Sequence, residues 1–203
     1  MVEPVYVVDG IRTPFCRMGT DLADEPAQLL GITCVKALLT NTGINPELIS
    51  EVIFGYDGQP VESMNISRII SVRSGIPVSV PAYTVHRNCA SGLEAITQAC
   101  EKASTGKGDI FIVGGVENMS RMPLIYPHTM AKKLATLARS KTLFQKLKSI
   151  CAFRPRDFSP RIALKLGLTD ILCDMNMGET AELLAREFGI SREEQDQFAI
   201  NSH

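Results

Sequence analysis

The stretch 82-AYTVHRNCASGLEAITQACEKAST-105 decides the fold. Its first five residues, 82-AYTVH-86, are a short β-favouring run, and from Cys89 to about Thr105 the apolar spacing turns helical, with Leu93, Ile96 and Cys100 on one face. A strand that runs straight into a helix is one repeat of an α/β chain. The neighbouring sequence continues the alternation in both directions. Upstream, 51-EVIFGY-56 reads as a strand and 65-NISRIISVRSG-75 as a helix with a terminal glycine; downstream, 109-DIFIVGGVEN-118 reads as a buried strand that breaks at Gly114-Gly115. Nearer the start, Val5 to Val8 is a short β-branched run ending at Asp9-Gly10, and 26-PAQLLGITCVKALLTNTGI-44 is a helix closed by Asn41 and Gly43. Strands separated by helices predict a mostly parallel sheet covered on both faces.

After Met119 the pattern changes. The stretch 131-AKKLATLARSKTLFQKLKSICAFRPR-156 predicts one long amphipathic helix, since Met130, Leu134, Leu137, Phe144, Leu147 and Cys151 fall three, four or seven residues apart. From 131 to 161 nine basic residues face one acid, Asp157, a local balance of +8 in a chain whose net charge is -1. Such a run is usually a solvated face; it also suits an anionic ligand such as a phosphorylated cofactor tail, a partner subunit or an anionic lipid surface. Two further helices follow, 178-GETAELLAREFGI-190 ended by Gly189 and 191-SREEQDQFAINSH-203, which opens with a Ser-x-x-Glu capping box. The chain stops inside that last helix, an unusual place for a domain to end.

With 203 residues and 45% hydrophobic content the chain can bury a real core, and its near-neutral balance gives no pull toward nucleic acid. The cysteines at 16, 34, 89, 100, 151 and 173 are scattered without a C-x-x-C pair, so their spacing suggests neither a zinc site nor a disulfide framework. Reduced thiols in a cytoplasmic setting are expected. The opening MVEPVYVVDG does not have the build of a signal peptide, and no run of about 18 apolar residues marks a membrane span.

The residue with the most chemistry is Cys89. A thiol in the first turn of a helix meets unpaired N–H groups and the positive end of the macrodipole, which favour the thiolate and so a nucleophile for an acyl carbon. The alternative is a small side chain filling a strand-to-helix corner, as buried cysteines often do. Cys100, eleven residues along, is about 16 Å away at 1.5 Å per residue and reads as core. His86 stands where a base for Cys89 could, although a histidine at a strand end is more often structural. His128 and His203 have no local partner, Gly114-Gly115 lacks the G-x-G-x-x-G spacing of a dinucleotide site, and Met175 and Met177 read as core fillers.

Several segments, in order, resemble thiolases: 4-PVYVVDGIRTPFCRMG-19, 51-EVIFG-55, 65-NISR-68, 88-NCASGLEAI-96, 113-VGGVENMS-120, 177-MGETAELLA-185 and 190-ISREEQDQFAINSH-203. The basic insertion from about 128 to 160 is most similar to that of 3-ketoacyl-CoA thiolases serving as the β subunit of fatty-acid oxidation trifunctional complexes. The resemblance implies a thiolase-like α/β fold. Residues 1–118 would form an N-terminal half-domain, residues 119–190 an inserted helical loop domain, and residues 191–203 the start of a helix returning to the core.

It also implies acyl transfer with coenzyme A as substrate and product, and no cofactor or metal. Cys89 would be acylated, with its backbone N–H helping to hold the thioester oxygen, and Met177 would line the acyl pocket. Asn176 stands where many relatives carry histidine, and His86 and Gly58-Gln59-Pro60 also depart from the commonest pattern. The family's general-base histidine, second cysteine and water-holding asparagine belong to a C-terminal half that these 203 residues do not include. The isolated chain is therefore expected to turn over poorly and to expose apolar surface that drives self-association. Expected partners are acyl-CoA, a second copy of the chain in a dimer or tetramer, a hydratase–dehydrogenase subunit, and a peripheral membrane contact through 131–156. The competing readings are a non-catalytic half-thiolase that binds acyl-CoA or a partner, and a 3-ketoacyl synthase type of condensing enzyme.

Overall fold

The computed structural model describes residues 4–58 and 61–203; Gln59 and Pro60, singled out above, lie outside the described residues. The chain divides into two compact units, Met1–Met122 and Pro123–His203.

The first unit is an α/β sandwich. Helix α1 (Ala27–Thr42) leads to β1 (Glu51–Gly55), α2 (Ile66–Arg73), β2 (Ala82–Val85), α3 (Ser91–Ser104) and β3 (Phe111–Gly115). The strands form a parallel sheet in the order β2-β1-β3, with Val52 opposite Ala82 on one side and Ile112 on the other. Because successive strand residues point to opposite faces, β1 supplies two cores. Val52 and Phe54 pack with Ala27 and Val35 of α1 and with Ile66 and Ile70 of α2, while Ile53 faces Ala95 and Ala99 of α3. The central strand is thus covered on both faces, as its continuous apolar run requires.

Local signals set the helix ends. Asn65 caps α2 by accepting the Arg68 N–H, and Gly43 ends α1 in the left-handed region at φ +64°.

Two sequence expectations fail in this unit. Val5 to Val8 is not a strand: residues 4–17 have no regular secondary structure, Tyr6, Val7 and Val8 are 77%, 87% and 90% exposed, and among the described residues no backbone partner meets them. β-branched composition favours an extended chain but cannot supply the neighbouring edge that makes it a strand. The buried face of α3 also differs from the expected one. Leu93 and Ile96 are exposed, while Ser91, Ala95 and Ala99, spaced i, i+4, i+8, face the sheet. Small side chains on that stripe let the helix approach the fully buried Ile53 closely.

In the second unit, strand β4 (Leu124–Ile125) pairs antiparallel with β5 (Arg161–Ile162), and β6 (Thr169–Asp170) with β7 (Met175–Asn176). Its helices are α4 (His128–Arg139), α5 (Leu143–Cys151), α6 (Ala163–Gly167), α7 (Met177–Glu187) and α8 (Arg192–Ser202).

The single helix expected over 131–156 is two helices. Thr142 and Gln145 form a capping box, the Thr142 hydroxyl accepting the Gln145 N–H while the Gln145 side chain accepts the Thr142 N–H, and this starts α5 afresh. The boxes at Asn176/Glu179 and Ser191/Glu194 start α7 and α8 in the same way. Among the described residues no helix is long and apolar enough to cross a membrane, and no cluster of His, Cys, Asp and Glu is suited to hold a metal ion.

Candidate active site

Cys89 lies on the turn between β2 and α3, and the turn is built from backbone constraints. Helix α3 begins at Ser91 with Ala90 as its cap residue, so Cys89 sits just ahead of the helix and not in its first turn as the periodicity suggested. Asn88 occupies the left-handed region at φ +47°, which asparagine tolerates better than most residues. The buried Ser91 hydroxyl closes the turn: it accepts the Arg87 N–H at 2.8 Å and donates to the Asn88 carbonyl at 2.6 Å. The Arg87 guanidinium is held 2.5 Å from the Glu94 carboxylate, which Gln98 also contacts at 2.9 Å. Those two donors, Gln98 first and Arg87 second, lower the Glu94 carboxyl below its ordinary value.

The start of α3 rests directly on the carboxyl ends of β1 and β3. A Cβ on Gly55 would overlap the backbone carbonyl of Ser91 and lie 2.5 Å from the Gly92 nitrogen, and one on Gly115 would lie 3.1 Å from the Gly92 Cα. Glycine at 55 and 115 therefore permits a backbone-to-backbone approach that brings the Cys89 turn to the strand ends. Ligands of open α/β sheets commonly bind there.

Cys89 lines a cavity of about 740 Å³ together with Asn88, Ser91, Gly92, the Gly55–Asp57 strand end and the Gly114–Ser120 segment. Cys16 and Cys34 border the same space. The segment 117-ENMSR-121 fixes two of its walls. Glu117 accepts the N–H groups of Asp57 (3.1 Å), Gly58 (2.9 Å) and Asn118 (3.2 Å). The Asn118 amide donates to the carbonyls of Leu22 (2.9 Å), Ala23 (3.3 Å) and Glu25 (2.6 Å). Burial above all, with the Asp57 charge adding to it, raises the Glu117 carboxyl above its ordinary value although these three N–H donors lower it, and burial beside Glu117 pushes the Tyr56 hydroxyl up to about 12.

The other candidates fall elsewhere. His86 stands 3.4 Å from Asp57 and 3.3 Å from the Tyr56 carbonyl, half exposed, and does not line the cavity. Cys100 is partly buried on α3. Met177 is the first residue of α7, 54% exposed, and Asn176 is its cap, with its side-chain oxygen 3.0 Å from the Glu179 N–H and its own N–H 2.7 Å from the Glu179 carboxylate. Sequence reasoning missed Ser91 and Glu117. Glu117 acts on the Asp57 and Gly58 N–H groups, which only the fold brings near, whereas Ser91 acts on Arg87 and Asn88, four and three residues before it, so its signal was local and went unread.

Comparison with known proteins agrees with this fold. The family model for the thiolase N-terminal domain matches residues 5–203. A 3-ketoacyl-CoA thiolase of Pectobacterium carotovorum subsp. carotovorum is 37% identical over 201 residues, 99% of this chain and 45% of the relative. The 3-ketoacyl-CoA thiolases of Aliivibrio fischeri and of Yersinia pestis are 37% and 36% identical over the same lengths. Among solved structures, the Bacillus anthracis acetyl-CoA acetyltransferase superposes with a TM-score of 0.72 at 27% identity, covering 90% of this chain and 41% of that one. The chain thus spans less than half the length of the relatives it matches.

Proposed function

From the premise that this chain belongs to the thiolase family, we propose that it carries the acyl-accepting cysteine of an acyl-CoA C-acyltransferase, a 3-ketoacyl-CoA thiolase or acetyl-CoA acetyltransferase of fatty-acid β-oxidation. The observation that supports this reading best is the placement of Cys89: an exposed thiol on a locked turn, lining a cavity at the carboxyl ends of a parallel sheet.

The thiolate attacks the 3-keto carbon of a 3-ketoacyl-CoA, and the bond between C2 and C3 breaks. The shortened acyl chain stays on Cys89 as a thioester, and acetyl-CoA leaves once its C2 carbanion takes a proton. A second CoA thiol then collects the acyl group. The Cys89 N–H, for which the described residues provide no acceptor, is assigned to the thioester oxygen. Residues 1–118 are assigned to the catalytic half, 119–190 to the loop domain with Met177 in its acyl-binding wall, and 191–203 to the returning helix.

Coenzyme A serves as substrate and product without a further cofactor. Self-association, a hydratase–dehydrogenase partner and a cytoplasmic location belong to the same proposal. So does peripheral contact with an anionic membrane through 131–156, where Leu143, Phe144, Leu147 and Ile150 of α5 are exposed beside Lys141, Lys146 and Lys148.

Intact mass measured after incubation with acetoacetyl-CoA tests the central step, because the acid/base partners of turnover are not among these 203 residues. An acetyl thioester on Cys89 that hydroxylamine releases, absent from Cys89→Ala, is the expected result. Reversible binding with no acylation would overturn it in favour of a non-catalytic acyl-CoA binder.

A further inference from the structure

The turn that carries Cys89 has an uncommon backbone shape, and one side chain from the next element braces it. Asn88 is one of two non-glycine residues among those described with positive φ, and it immediately precedes the nucleophile. A residue held there reverts to a relaxed conformation unless its surroundings prevent it. Two backbone bonds close the turn, from the Ala90 N–H to the Arg87 carbonyl at 3.1 Å and from the Ser91 N–H to the Asn88 carbonyl at 3.0 Å; the Ser91 hydroxyl adds the one side-chain tie, bridging the residue before Asn88, through the Arg87 N–H, to the Asn88 carbonyl itself. Ser91 is 4% exposed and its backbone is pressed against Gly55, so the anchor rides on the central strand and not on the loop.

We propose that Ser91 is a positioning residue for acyl transfer: by fixing Asn88 in its left-handed conformation it sets the direction of the Cys89 N–H and thiol toward the cavity. Its role is exercised through Cys89, since both bonds of its hydroxyl go to the backbone. The proposal rests on the assignment of Cys89 as the acylated residue. A displacement of the reacting group by about 1 Å can cost about a hundredfold in rate, so losing the bridge is expected to slow acylation by roughly tenfold to a hundredfold. The small reagent iodoacetamide needs no orientation by the N–H, and its reaction with Cys89 is expected to change by less than about threefold.

The experiment compares the wild-type chain with Ser91→Ala, Ser91→Thr and Thr97→Ala. Thr97 is an exposed hydroxyl on the same helix that bonds only to its own helix carbonyls, so its loss controls for a missing α3 hydroxyl. Acylation by acetoacetyl-CoA, alkylation of Cys89 by iodoacetamide, and amide exchange at Arg87 and along 93–103 are read for each. In Ser91→Ala the Arg87 amide loses protection, acylation falls and alkylation holds, with the 93–103 amides still protected; Thr97→Ala behaves as wild type. Should Ser91→Ala lose the 93–103 protection as well, Ser91→Thr decides, because it keeps the hydroxyl: protected Arg87 with acylation within about threefold of wild type supports the proposal, and protected Arg87 with acylation lost overturns it. Unchanged Arg87 exchange and unchanged acylation in a folded Ser91→Ala also overturn it. A wild-type chain that takes no acyl group refutes the functional reading instead, and Arg87 exchange in Ser91→Ala still reports on the bridge.

Discussion

Glu117 in the first unit and Asp157 in the second are both carboxylates drawn in from solvent, and they are held by opposite means. Glu117 accepts three neutral backbone N–H groups at the end of β3, and burial leaves its carboxyl above the ordinary value. Asp157, 1% exposed, receives the Lys133 ammonium at 2.5 Å, the Arg154 N–H at 2.7 Å and the Thr129 hydroxyl at 3.2 Å, and Lys133 first of all holds it below the ordinary value. The contrast follows from what surrounds each. The first unit has a two-sided apolar core around β1; in the second, Met130 and Asp157 are the buried residues among those described, and Met130 belongs to neither core cluster. One unit is organised by apolar burial with polar ties at its rim, the other by an ion pair with helices around it.

The largest expected effect breaks the apolar side of that contrast. Ile53 is fully buried between the sheet and α3, so Ile53→Ala removes its transfer free energy and leaves a cavity, a loss of about 2–5 kcal/mol. Met130→Ala, at a site with fewer buried neighbours to leave unsupported, is expected to cost less. Urea unfolding followed by amide exchange compares the two. An equal loss at both positions would mean that the second unit has an apolar core after all.

An intermediate effect concerns acid. A carboxyl raised in the fold contributes stability that is full below its ordinary value, 4.5 for Glu117, and lost as pH rises through the raised value. A carboxyl depressed in the fold contributes stability that is full above its ordinary value, 3.8 for Asp157, and lost only as pH falls through the depressed value. Lowering the pH from 7 toward 4.5 should therefore strengthen the β1–β3 end of the first unit while the Asp157 lock stays whole; the lock opens only below about 3.8. Carboxyl carbon shifts in a ¹³C-labelled sample read both titrations. Glu117→Gln should flatten the first response and Asp157→Asn the second, the latter with loss of protection at the Arg154 N–H. The contrast fails if Glu117 titrates below Asp157.

What the sequence made legible divides along the same line. The three paired strands, α1, α2, α7 and α8 were readable because their signals are local: β-branched runs, Ser191 at a cap, and Gly43, Gly75 and Gly189 at ends. Cys89 stood out as a cysteine beside a helix start, and the ordered motifs gave it a role. Three features were not readable, each because it depends on a partner distant in sequence. Val5 to Val8 has the composition of a strand and no edge to join; α3 turns its alanines inward because Gly55 and Ile53 allow close approach; Glu117 shows its function only where Asp57 and Gly58 meet it across the sheet. The break between α4 and α5 is a different case, since Thr-x-x-Gln at 142–145 is a legible signal that the long apolar stripe outweighed.

The smallest expected effect sharpens what kind of ion pair matters. Arg192 and Asp196 on α8 are 2.7 Å apart, as close as many buried pairs, but their side chains are 79% and 52% exposed. Water and salt screen such a pair, and ordering two long side chains offsets most of what remains. Arg192→Ala should therefore leave amide exchange along 195–202 unchanged, although Asp196 raises the Arg192 guanidinium above its ordinary value. The same helix supplies its own contrast at Ser191, whose hydroxyl accepts the Glu194 N–H at 3.2 Å while its N–H meets the Glu194 carboxylate at 2.8 Å. Removing that cap in Ser191→Ala leaves N–H groups without partners and should cost about 1 kcal/mol of local helix stability, seen as faster exchange at 193–196. If Arg192→Ala frays α8 as much as Ser191→Ala does, then exposure is not what separates this pair from Lys133–Asp157, and the second unit is held by its many surface charges and not by its one buried carboxylate.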